Sequence, residues 1–237
     1  MKRGNILFFL LVIFLASCAG SPSEEELHKA NYHYQIGLSY FNDNNIQPAF
    51  VEFQKAVEIN PHDKEIHNAL GIIYLIKLED YPKALEHFKE ALDIDENFST
   101  AETNLGDTYA HMGEFDKAIA AYKRAITNPL YKNAAMALNN LGMVYYRLSK
   151  FDDAMDAFKE ALKRFSSFDR PYYGLALCYN AKGQYGDASL AMSRAIELDP
   201  LYKGDKDKAT EDLKDKKIRA RGIEEKDIAD YLDILKY

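Results

Sequence analysis

The stretch GDTYAHMGEFDKAIAAYKRA, Gly106 to Ala125, sets small residues at Gly106, Ala118 and Ala125 and rings at Tyr109 and Tyr122. The same order returns as Gly37, Tyr40, Ala49, Phe53 and Ala56, and as Gly71, Tyr74, Ala84, Phe88 and Ala91. It returns again as Gly142, Tyr145, Ala154, Phe158 and Ala161, and finally as Ala176, Tyr179, Ala188, Met192 and Ala195. Small residues recur where two helices must touch, and large ones where a gap must be filled. Each set reads as a helix, a turn and a second helix, with Gly113 and Gly183 at the turn, where positive φ is useful. One such unit cannot bury its apolar face alone, so successive units must stack into a solenoid.

This pattern resembles the tetratricopeptide repeat, a helix-turn-helix unit of 34 residues. Pro61 and Pro200 stand at the closing proline of that repeat, while Glu96, Leu130 and Ser166 replace it in the other units. The resemblance implies an all-α, right-handed tetratricopeptide-repeat superhelix of about five units over residues 30–200. The units are placed approximately at 30–63, 64–98, 99–134, 135–168 and 169–202.

The period is not uniform. From the Gly or Ala of one unit to that of the next, the intervals are 34, 35, 36 and 34 residues. The one extra residue of the second interval falls in the turn near KLEDYPKA, because Gly71 to Ala84 is 13 residues where the other units have 12. The third interval is longer by two, and both fall in TNPLYKNAA, residues 127–135, between Ala125 and Gly142. Pro129 has no N–H to donate and disfavours helix at the residue before it, so the second helix of unit three must stop near Asn128. Leu130 and Tyr131 then occupy a longer connection in which one side chain can pack inward and the other be displayed. A tolerated loop insertion and a partner contact are both compatible with this.

At the start of the chain Lys2 and Arg3 precede an apolar run, Ile6 to Ala16, which is too short for a bilayer that needs about 20 residues. LASC, Leu15 to Cys18, resembles the bacterial lipobox. Residues 1–17 are thus read as a lipoprotein signal peptide, Cys18 as the acylated first residue of the mature chain, and 18–29 as a polar leash. Ala19 stands where an aspartate would signal inner-membrane retention, so the resemblance implies an outer-membrane lipoprotein facing the periplasm.

The formal net charge is −7, or −9 once Lys2 and Arg3 are removed, and there is no basic stripe, which argues against a nucleic-acid partner. Without Cys18 the only cysteine is Cys178, read as a buried structural thiol, so no intramolecular disulfide is expected. The six histidines are scattered, none four residues from another, and there is no phosphate loop or HExxH. No enzymatic activity, metal, cofactor or small-molecule substrate is expected.

In tetratricopeptide folds the second, fifth, ninth and twelfth positions of each first helix form the inner face. Carried onto this chain they include Tyr34, Leu38, Phe41, Asn68, Ile72 and Leu75, with Asn139, Met143, Tyr146, Tyr173 and Leu177 in units four and five. That lining holds almost no lysine or arginine and suits an amphipathic helix or an extended segment with apolar anchors. Contacts between these residues across a tight superhelix are the competing explanation.

Arg124 to Ala154 further resembles the middle-repeat junction of the type IV pilus lipoproteins of the PilF, PilW and Tgl group, on Leu130, Tyr131, Asn140 and Gly142. The resemblance implies a non-enzymatic pilotin that binds a type IV pilus secretin and promotes its outer-membrane localisation and assembly; a general periplasmic scaffold for cell-wall or envelope enzymes is the alternative. Residues 203–237 depart from the group, whose members commonly have a sixth repeat. They read as a charged segment, solvated helix or mobile, followed by an amphipathic helix with Ile228, Leu232 and Leu235 on one face. That helix is expected to cap the fifth unit, with a role at a partner or membrane surface as the alternative.

Overall fold

The computed structural model describes residues 21–237; the apolar leader, the LASC motif and Cys18 lie outside the described residues. Twelve helices and no strand occur among the described residues. They run as α1 (Glu24–Asn42), α2 (Ile46–Ile59), α3 (Lys64–Ile76), α4 (Tyr81–Ile94), α5 (Ser99–His111) and α6 (Phe115–Thr127). Then follow α7 (Ala134–Arg147), α8 (Phe151–Arg164), α9 (Arg170–Ala181), α10 (Tyr185–Leu198), α11 (Lys206–Arg219) and α12 (Gly222–Ile234). The first ten pair as antiparallel hairpins, and each hairpin packs on the next to build the superhelix. No described helix is long and apolar enough to cross a membrane.

The helix starts and turns follow local chemistry. Ser23 caps α1 and Glu26 reaches back to the Ser23 backbone N–H, a reciprocal capping box that satisfies two otherwise unpaired donors. The helix therefore begins at Glu24, and residues 24–29, expected as leash, are its first turns. Every turn inside a hairpin contains one left-handed residue: Asn44, Glu79, Gly113, Ser149 or Gly183. Three residues separate the helices in four of the hairpins, and four (Lys77 to Asp80) do so in the second, where the sequence places an extra residue.

Packing within each unit rests on one close contact. The Phe53 ring lies on the backbone of Gly37, where an added Cβ would stand 2.6 Å from it. Phe88 lies the same way on Gly71, at 2.5 Å, and Tyr122 on Gly106, at 2.6 Å. Phe158 is pressed from both sides, 2.6 Å from a Cβ at Gly142 of its own unit and 2.3 Å from one at Gly174 of the next. The three phenylalanines and Tyr122 are fully buried. In unit five Ala176 replaces glycine and Met192 replaces the ring: where a methyl occupies the space, an unbranched side chain fits around it.

Asp205 caps α11, and the charged segment is a helix whose Ala209 and Leu213 are buried against the last units. A helical pair thus stands where a sixth repeat would, but α11 touches α10 only lightly, and α12 packs on both α9 and α10. Ile228 and Ile234 are fully covered, with Tyr231, Leu232 and Leu235 beside them, so the buried face of α12 is wider than the three residues expected.

Gly142→Ala should cost about 1–3 kcal/mol through overpacking against Phe158, read as a fall of several degrees in the thermal transition. The double variant Gly142→Ala, Phe158→Met, which imitates unit five, should lose less than the sum of the two single losses.

Candidate functional site

The expected groove residues fall into three zones. Tyr34, Leu38 and Phe41 of α1 meet Asn68 and Ile72 of α3 around a small apolar recess floored by Phe53. Leu75 opens onto a larger recess of about 690 Å³, walled by α5, by Met143 and Arg147 of α7, and by Glu224 and Asp227 of α12. Asn139, Met143 and Tyr173 line a third, of about 420 Å³, closed by Ile228 and Tyr231.

α12 therefore lies in the groove of units four and five, beyond covering an end. Tyr231 meets the Tyr173 ring edge-on at 5.5 Å, and Tyr146 and Leu177 are buried in the cluster that α12 completes. Tyr146 and Leu177, expected to line a partner-binding groove, are instead buried in the core cluster to which the chain's own last helix contributes. The groove also holds a cation that the expected lining lacked. Arg147 donates through both terminal nitrogens to the Asp227 carboxylate, Nη1 to Oδ1 at 2.6 Å, a forked pair across 80 residues of sequence. Asp227 is buried, so the pair fixes α12 in register and leaves Arg147 neutralised.

The floor of the open zone carries an amide and carboxylate chain. Asn104 donates to Asn68 at 2.8 Å; Asn140, at 2.8 Å, and the Tyr122 hydroxyl, at 2.5 Å, both donate to Asp107 Oδ1. Burial pushes the Asp107 carboxyl up, against the opposing pull of those two hydrogen bonds. Asp107 was missed in the sequence, yet it occupies the position after the repeat glycine, where the other units have Leu38, Ile72, Met143 and Leu177. One carboxylate in an otherwise apolar row was the available signal.

At the long connection Pro129 follows the end of α6 at Thr127, as expected, and Asn128 ties the loop to α5 by donating to Ser99 Oγ at 3.1 Å. Thr103 spends its hydroxyl hydrogen on the Ser99 carbonyl, so the Tyr131 hydroxyl, 2.9 Å away, donates to Thr103. Tyr131 is half-buried in the joint as a wedge, whereas Leu130 is 85% exposed.

Two histidines 20 residues apart also meet. His67 Nε2 donates to the Pro61 carbonyl at 2.9 Å, which leaves Nδ1 to accept from His87 Nδ1 at 3.1 Å. Tyr74 stacks on His87, whose pKa burial lowers to about 4, helped by His67 and Lys83. Counting fours along a helix could not find this pair, because it bridges α3 and α4. No group of three metal-ligating side chains occurs among the described residues. Burial pushes the Cys178 thiol up to about 12, so it is held protonated and unreactive.

Tetratricopeptide-repeat family models match residues 30–63, 52–86, 98–167 and 139–203. The type IV pilus assembly protein PilF of Pseudomonas aeruginosa is 28% identical over 133 residues, 53% of this chain and 52% of that protein. The matched segment thus spans about half the length of that relative. Among solved structures, PilF of Pseudomonas aeruginosa superposes with a TM-score of 0.66 at 20% identity, covering 85% of this chain and 96% of that one. PilW, described as a widely conserved type IV pilus biogenesis factor, superposes with a TM-score of 0.70 at 20% identity, covering 85% and 90%. At such identities the two structures show the fold alone.

Arg147→Ala strands the buried Asp227 carboxylate and should cost roughly 3 kcal/mol. Hydrogen exchange should then quicken in α12 while α1 to α4 are unchanged. Because His87 resists protonation in the folded chain, stability should be full above pH 6.5 and fall toward pH 4, as the unfolded chain takes up a proton that the folded one refuses. Denaturant titrations across that window should show a shallower fall for His87→Phe.

Proposed function

Because the chain is a tetratricopeptide-repeat protein related at low identity to PilF, we propose that it is a lipid-anchored pilotin that binds a type IV pilus secretin and promotes its assembly in the outer membrane. The observation that carries the reading is the groove left open over units one to three. Tyr34, Leu38, Phe41 and Ile72 offer an apolar lining there, and the fold is typical of proteins that act by binding other proteins rather than by catalysis. An amphipathic helix or apolar strand of a secretin subunit, prone to aggregate when free, fits that lining. The relation to PilF supports a partner in the pilus machinery, and the lipobox at Cys18 supports anchoring at the periplasmic face of the outer membrane. Tethering raises the local concentration of the groove where the ring assembles, and groove binding shields the incoming segment.

Cys18→Ala should leave a folded protein, released from the membrane, with fewer heat-stable secretin multimers in the outer membrane. Undiminished multimers there would refute the role of the anchor. Leu38→Glu with Ile72→Glu should weaken capture of secretin from detergent-solubilised envelopes by about tenfold or more, since the affected anchors sit at the centre of the lining. Capture of cell-wall hydrolases in place of secretin would favour the scaffold alternative.

A further inference from the structure

Four of the five second helices end on the same turn. The side-chain oxygens of Asn60, Asp95, Asn128 and Asp199 each accept the backbone N–H two residues on, at 3.4, 3.0, 3.0 and 2.8 Å. This turn stops a helix at little cost, and Asn and Asp are suited to it. The fourth unit gives it up. Its second helix, α8, ends at Arg164, and the residue that follows, Phe165, has a ring that cannot make the turn and is instead 53% exposed, stacked on Phe168 at 5.9 Å. An exposed ring thus stands in a place where the rest of the array uses a turn-forming side chain, a break of the local rule.

Stacking of units brings this joint beside the long α6–α7 connection. Phe165 and Phe168 form one wall of a recess of about 560 Å³ whose other wall is Tyr131 and Met136, the latter 43% exposed. Lys132 and Arg164 are the charged side chains in its lining, and no carboxylate joins them, although the chain as a whole carries −7. Arg164 is held only loosely, its Nε 3.7 Å from Glu160. Leu130 projects from the same connection.

We infer that this recess, on the loop edge of units three to five and separate from the groove, is a second docking site, for an extended protein segment that inserts an apolar side chain between Phe165 and Met136 and sets acidic side chains against Lys132 and Arg164. The concave shape selects a protein segment over a bilayer, because a recess accepts a projecting side chain and a flat membrane surface cannot fill it. The two positive charges of the lining, with no carboxylate beside them in the recess, select the acidic flanks and repel basic ones. The inference rests on the joint alone and stands whether or not the groove partner is a secretin.

Phe165→Asp is the sharpest test, since it removes the ring and restores the turn that the other units use. Fluorescence anisotropy with short synthetic peptides carrying a central Leu, Phe or Trp between Asp and Glu residues should show binding to the full chain. Lys-flanked peptides and peptides with a central Ala should not bind. Phe165→Asp should weaken binding about tenfold or more, with the melting temperature unchanged or raised. Lys132→Glu with Arg164→Glu should shift the preference toward Lys-flanked peptides. Binding indifferent to peptide charge, or unaltered by Phe165→Asp, would overturn the proposal. So would a marked loss of stability in Phe165→Asp, since the ring would then serve the fold. Co-sedimentation with phosphatidylglycerol vesicles, or self-association, that depends on Phe165 while the acidic peptides fail to bind would replace the proposed occupant by a membrane or by a second copy.

Discussion

A flat ring on a bare helix backbone sets the geometry of this protein. At Gly37, Gly71, Gly106 and Gly142 the first helix of a unit offers no Cβ, and Phe53, Phe88, Tyr122 and Phe158 of the second helix lie where that atom would be. The contact fixes how closely the paired helices approach and makes these four rings the largest fully buried side chains among the described residues. Interiors packed to this density cannot absorb a displaced atom without moving a helix. Because Phe158 also touches Gly174, the same contact carries the spacing from one unit into the next. The concave surface is a product of that spacing, repeated.

A regular array would have left an equally open groove along its length, and this one does not. The forked Arg147–Asp227 pair and the Tyr173–Tyr231 contact bring the last helix into the groove of units four and five. The chain therefore divides its own concave face, with an open portion at the start, apolar in units one and two and floored by amides and Asp107 in unit three, and a portion filled by an amphipathic helix at the end. The filled portion shows what chemistry this groove accepts: isoleucines and a tyrosine against its wall, and the Asp227 carboxylate against Arg147.

The repeat and both of its irregularities were legible because a fixed period makes any extra residue visible by subtraction. The turn at Lys77 to Asp80 and the connection after Thr127 are where the intervals place them. The position of α12 was not legible. Its amphipathic pattern says that one face is buried, but not against what, and the partner of Asp227 lies 80 residues away. Asp107 was within reach, since register alone puts it on the inner face. The His67–His87 contact was not, since it depends on how two helices rotate against each other. Tyr131 shows the limit of reading a short motif: its position was right, but only the hydroxyl of Thr103 decides that it faces inward.

Among the rings that lie on glycine, one differs from its neighbours by a single oxygen. Phe53, Phe88 and Phe158 end in carbon, whereas Tyr122 ends in a hydroxyl that reaches Asp107 on the groove floor, where Asn140 of the next unit also donates. In unit three the spine and the floor of the solenoid are thus joined by a rigid strut. Asp107 thus ties the ring that lies on Gly106 to the first helix of unit four, a link that Phe53, Phe88 and Phe158 cannot make because they lack the hydroxyl. The solenoid is accordingly not uniform: in its middle unit one carboxylate on the concave surface holds both the packing ring of its own unit and the first helix of the next.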